Sequence, residues 1–119
     1  MSYKIYVKNE QGNSIVNFGE STRSRFIASD LWEMKRKNKI SVESGKCHLE
    51  EIYRLDNHIA IPFLVKHIEQ ELESLKSYLK EPMGKWDYQK DLFRIYGERL
   101  SSLKNLTDGV LIFHVWDMS

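Results

Sequence analysis

A single cysteine, Cys47, stands in this chain of 119 residues, so no intramolecular disulfide can form, and a reducing cytoplasmic setting is expected. Two prolines and six glycines are too few for a collagen-like or low-complexity chain. No apolar run approaches the roughly 20 residues that span a bilayer. The longest are Ile59 to Val65, interrupted by Pro62, and Val110 to Val115, so no membrane partner is expected. The opening Met1-Ser2-Tyr3-Lys4 lacks the apolar stretch of a secretory signal. A Gly-rich phosphate loop, a Gly-x-Ser-x-Gly elbow and a Cys-x-x-Cys pair are all missing, and no cofactor is implied.

Charge of one sign is also lacking. Lys and Arg total 18 against 17 Asp and Glu, and the pI near 7.8 argues against a dedicated polyanion binder. What remains, 41% hydrophobic and 29% charged residues, is the composition of a globule that buries one core over 1–119.

The pattern along the chain predicts an α+β fold. Tyr3, Ile5 and Val7 alternate with Lys4, Tyr6 and Lys8, the period of a strand with one buried face. Asn9 to Asn13 has turn chemistry, and Ser14 to Phe18 returns as the second arm of a hairpin. Ser21-Thr22 caps a helix carrying Phe26, Ile27, Leu31 and Met34 to about Arg36. Ile40 and Val42 suggest a short strand, and Leu49, Ile52 and Tyr53 a short helix ending near Asp56.

A long amphipathic helix is expected from Pro62, because Val65, Ile68, Leu72, Leu75 and Leu79 step by three and four. Glu81 to Lys85 breaks it, and Trp86, Phe93, Tyr96, Leu100 and Leu103 mark the returning arm of an antiparallel helical hairpin. Gly97, inside that arm, suggests close approach of a neighbour. Val110 to Trp116 is apolar on both pleat faces and belongs inside a sheet, beside the first strand. The expected architecture is thus a small antiparallel sheet, made of the N-terminal hairpin and the C-terminal strand, with the helical hairpin and one or two further helices.

Candidate chemistry is sparse. Cys47-His48 pairs a thiol with a base, but sequence neighbours rarely face each other. His67 and Glu71 share a helix face at i, i+4 without the second ligand pair a zinc site needs, so no metal is expected. His114 among apolar neighbours, with Asp117 three residues on, is the other acid-base candidate. A small enzyme using His114 and Asp117, or Cys47, is therefore one alternative, although no positive catalytic motif supports it.

Charge segregation says more. Residues 21 to 39 carry six basic side chains against two acidic; residues 43 to 81 carry eight acidic against five basic. The leading expectation is a non-enzymatic protein-binding domain that acts by surface occlusion. Its acidic and aromatic groups, Glu50, Glu51, Tyr53 and Asp56 with Glu69, Glu71 and Glu73, would meet a partner with a basic surface. In general character the chain resembles small inhibitors such as bacterial toxin-immunity proteins and phage anti-defence proteins. The alternative partner is nucleic acid, gripped by Arg23, Arg25, Lys35, Arg36, Lys37 and Lys39 with Trp32 among them.

Overall fold

A computed structural model describes residues 2–37, 40–44, 49–106 and 108–118. Its elements run β1 (Tyr3–Asn9), β2 (Ser14–Glu20), α1 (Thr22–Arg36), β3 (Ser41–Ser44), β4 (Glu50–Asp56), α2 (Asn57–Leu75), a 3-10 turn (Lys76–Lys80), α3 (Asp87–Leu103) and β5 (Val110–Asp117). The fold is α+β. Among the described residues no helix is long and apolar enough to cross a membrane. Two compact units are distinguishable: Met1–Ala60 with Asp108–Ser119, and Ile61–Thr107.

The first unit is a five-stranded sheet in the order β2-β1-β5-β4-β3, every neighbouring pair antiparallel. Its first turn forms as the sequence indicates. The Asn9 side-chain oxygen accepts from the backbone N–H groups of Gln11 (3.0 Å) and Asn13 (2.9 Å), while Gly12 takes φ +86°. The last strand is central, as its two apolar faces require, and it pairs with β1 from Tyr3 opposite Asp117 to Asn9 opposite Leu111.

On its other side β5 recruits β4, and here the structure corrects the expected helix at residues 49–56. The three-residue spacing of Leu49 and Ile52 looks helical. However, Tyr53 and Leu55 alternate with Ile52, Arg54 and Asp56, and an unpaired edge of β5 rewards that period of two over a single helical turn. One face of the sheet is buried through Ile5, Val7, Val16, Tyr53, Leu55, Leu111, Phe113 and Val115. Helix α1 lies against β1 and β2 on this side, burying Ile27, Ala28 and Leu31. Ser21 caps it, accepting from the backbone N–H of Ser24 at 3.3 Å.

Helix α2 starts five residues before Pro62 rather than at it. The proline sacrifices one backbone hydrogen bond to the carbonyl of His58. The helix start is tied to the turn before β5 by Asn57, whose backbone N–H donates to Gly109 O (2.9 Å) and whose side-chain amide donates to Asp108 O (3.0 Å).

In the second unit Leu64, Ile68, Leu75, Tyr96 and Leu103 are buried. The expected seam stops at Leu75, where the chain tightens into the 3-10 turn and leaves Leu79 exposed. Trp86, expected inside the returning helix, is instead its N-cap, in the left-handed region at φ 61°. Its ring lies 5.2 Å from that of Tyr78. Gly97 has no close neighbour: a Cβ there would meet nothing within 4 Å, so the expected tight approach is absent.

Candidate functional site

Alternation along β1, β4 and β5 puts a second row of side chains on the sheet face opposite α1. Tyr6, Ile52, Ile112, His114 and Trp116 are half-exposed there. Register places Tyr6 opposite His114 and His114 opposite Ile52, while Lys4 and Glu50 flank Trp116.

The centre of the row is a polar-aromatic cluster. The His114 imidazole stacks on the Tyr6 ring, with centroids 4.6 Å apart and planes 9° from parallel. Its Nδ1 is 3.0 Å from Glu50 Oε1, a carboxylate only 4% exposed. The Trp116 indole N–H donates to Tyr6 Oη at 3.1 Å, and Lys8 Nζ sits 5.3 Å from the Tyr6 ring centroid. Each polar atom of the cluster thereby orients the next, leaving rings of fixed attitude at the surface.

This arrangement replaces the expected partnership of His114 with Asp117. Residues three apart on a strand point to opposite faces, so Asp117 cannot reach His114. A carboxylate from the neighbouring strand takes that role. Glu50 is expected from the sequence as a surface group for a basic partner, not as the partner of His114, because its segment reads as helical; a strand there brings it beside the β5 row. The other catalytic candidate, Cys47 with His48, lies outside the described residues.

The residues expected to form an acidic surface are divided between the two compact units. Glu50 and Tyr53 are buried, so neither offers area to a partner. Glu51 is held on the α1 side, accepting from the Trp32 indole N–H (2.9 Å) and the Tyr53 hydroxyl (3.0 Å) with Lys35 Nζ at 3.6 Å. Burial pushes the Tyr53 phenol pKa well up, with the charge of Glu51 adding to the effect. Asp56 is exposed on β4, whereas Glu69, Glu71 and Glu73 lie on α2 in the second unit, where Glu73 pairs with Lys76 at 2.9 Å.

The basic alternative is partly neutralised. Arg23 is buried, its guanidinium 5.3 Å from the Phe26 ring centroid. Arg36 and Lys37 both pair with Glu33, whose carboxyl is lowered in pKa mainly by the Arg36 hydrogen bond, and Lys35 pairs with Glu51. Arg25 and Trp32 are both exposed; Lys39 lies outside the described residues. His67, the metal candidate, is buried with its ring 4.9 Å from that of Phe63. Among the described residues no three metal-ligating side chains gather.

What the fold and this cluster define is an α+β protein with an ordered aromatic sheet face. Comparison adds no relative: no protein family, curated protein or solved structure matches this chain.

Proposed function

We propose that the protein is a binding domain without catalytic activity, which occludes a protein partner with the outer face of its sheet. The observation that carries this reading is the oriented ring cluster of Tyr6, His114 and Trp116, bordered by half-exposed Ile52 and Ile112. Tyrosine and tryptophan dominate binding hot spots because they bury much area for few lost rotamers, and here those rotamers are already restrained. Exposed Asp56, on β4 of the same sheet, remains available to steer a basic partner electrostatically. This is how an immunity protein or an anti-defence inhibitor works, in a cytoplasmic setting that suits the single cysteine. Nucleic acid is the weaker reading, since three of the helix-end cations are ion-paired.

Affinity capture from the native host with two baits, the wild-type chain and Ile112→Asp, tests the proposal, with circular dichroism verifying that both fold. A protein retained by the wild type and lost by the variant is the expected result. Capture of nucleic acid alone, or equal retention on both baits, refutes it.

A further inference from the structure

Two clefts in the first unit share one guanidinium, that of Arg25. Arg25, Ser29 and Trp32 follow one another at steps of four and three, which aligns them on one face of α1. With Tyr3 they line a cleft of about 350 Å³. Its wall is aromatic: the Tyr3 and Trp32 rings meet edge to face, 5.2 Å between centroids. The Trp32 N–H is already committed to Glu51, so this indole presents the cleft with apolar surface.

Arg25 also lines a second cleft, of about 300 Å³, with Ser2, Glu20, Ser21 and Thr22. The two charged groups of this cleft are opposite in sign. Glu20 Oε1 accepts from the Ser2 hydroxyl at 2.7 Å, and among the described residues neither Arg25 nor Glu20 has an ion-pair partner.

Charge selects the ligand. A simple anion on Arg25 meets repulsion from Glu20, and a simple cation on Glu20 meets repulsion from Arg25. A zwitterion satisfies both, and one with an apolar group also uses the aromatic wall. We propose that these two clefts, which share Arg25, together bind a free α-amino acid with an aromatic or large aliphatic side chain. Its carboxylate pairs with Arg25 and its ammonium group with Glu20. The side chain lies against Tyr3 and Trp32, and the Ser21, Thr22 and Ser29 hydroxyls border the polar end. The clefts lie within the size range of small-molecule sites, and the guanidinium fork matches carboxylate geometry.

L-phenylalanine is the probe, titrated by equilibrium dialysis against the full chain and followed by the indole N–H resonances. Saturable binding in the millimolar range or tighter is expected, with the Trp32 resonance perturbed. The methyl ester, which lacks the carboxylate, and N-acetyl-phenylalanine, which lacks the ammonium, should each bind about tenfold more weakly or worse, the usual loss for a hydrogen-bonded charge. Arg25→Gln should reduce phenylalanine affinity by a similar factor, and Glu20→Gln should weaken phenylalanine but not its N-acetyl derivative. Both positions are exposed, so the variants should fold, which their melting curves verify. Absence of saturation, equal binding of the ester, or indifference to Arg25→Gln overturns the proposal. These clefts share no residue with the outer sheet row, so either reading can fail without the other.

Discussion

His114 lies flat against Tyr6 across the β1–β5 pair, 4.6 Å between ring centroids, while its Nδ1 reaches back to the nearly buried carboxylate of Glu50 at 3.0 Å. One imidazole thus joins three strands of the sheet through its face and its edge.

That joint makes His114 a stability determinant as well as a contact residue. His114→Ala strips the buried carboxylate of its partner, and an unsatisfied buried acceptor costs about 1–3 kcal/mol. Urea denaturation should show a lower midpoint with an unchanged slope. A midpoint equal to wild type would mean that Glu50 is satisfied by other means.

Gly97 is half-buried in the interior of α3 with open space where a Cβ would go. Gly97→Ala should therefore raise stability by about 0.4–1 kcal/mol, by reducing the freedom of the unfolded chain and improving helix propensity. Thermal unfolding reads the gain directly.

Gly109 predicts the opposite sign. It sits at φ +120° in the turn before β5, and its carbonyl accepts from the Asn57 N–H at 2.9 Å. A Cβ would meet the Asn57 amide at 3.6 Å, ordinary contact, so the penalty of Gly109→Ala is conformational rather than steric, about 1–3 kcal/mol. Comparing the two glycine variants in one denaturation series separates backbone strain from propensity.

Tyr53 gives a pH signature. Its folded-state pKa is raised above the ordinary phenol value of 10.0, so the folded protein holds the proton more tightly than the unfolded chain. The associated stability is fully present below pH 10 and declines as pH rises beyond it toward the folded-state value. Tyr53→Phe should flatten this alkaline decline relative to wild type, while losing about 0.5–1.5 kcal/mol at neutral pH with the hydrogen bond to Glu51. Melting temperatures of both proteins between pH 8 and pH 11 provide the comparison.

Local patterns carried much of this fold. The alternation of Tyr3, Ile5 and Val7, the Ser21 cap, and the doubly apolar β5 were legible because each is a short-range signal that tertiary structure reinforced. β4 was not. Its identity depends on the free edge of β5, far along the chain in the register that pairs Asp56 with Val110 and Ile52 with His114, and a local reading of Leu49, Ile52 and Tyr53 favours helix. The site inherited this error. With β4 read as a helix, Glu50 and Tyr53 appear as surface groups, whereas pairing with β5 buries them both. Ion pairing is equally invisible to a segment count: Glu33 and Glu51 pair with the cations nearest to them, which net charges over a segment do not register. The stacking of Tyr6 on His114 follows from register alone and is readable once the first and last strands are placed side by side.

The middle position of β5 also dictates an order of events during synthesis. Without it the sheet is two separate ribbons, β2 with β1 and β4 with β3, and two-stranded ribbons have little independent stability. Residues 110–117 leave the ribosome only after the whole of the second unit, so a nascent chain exposes two unzipped edges until its final strand arrives between them.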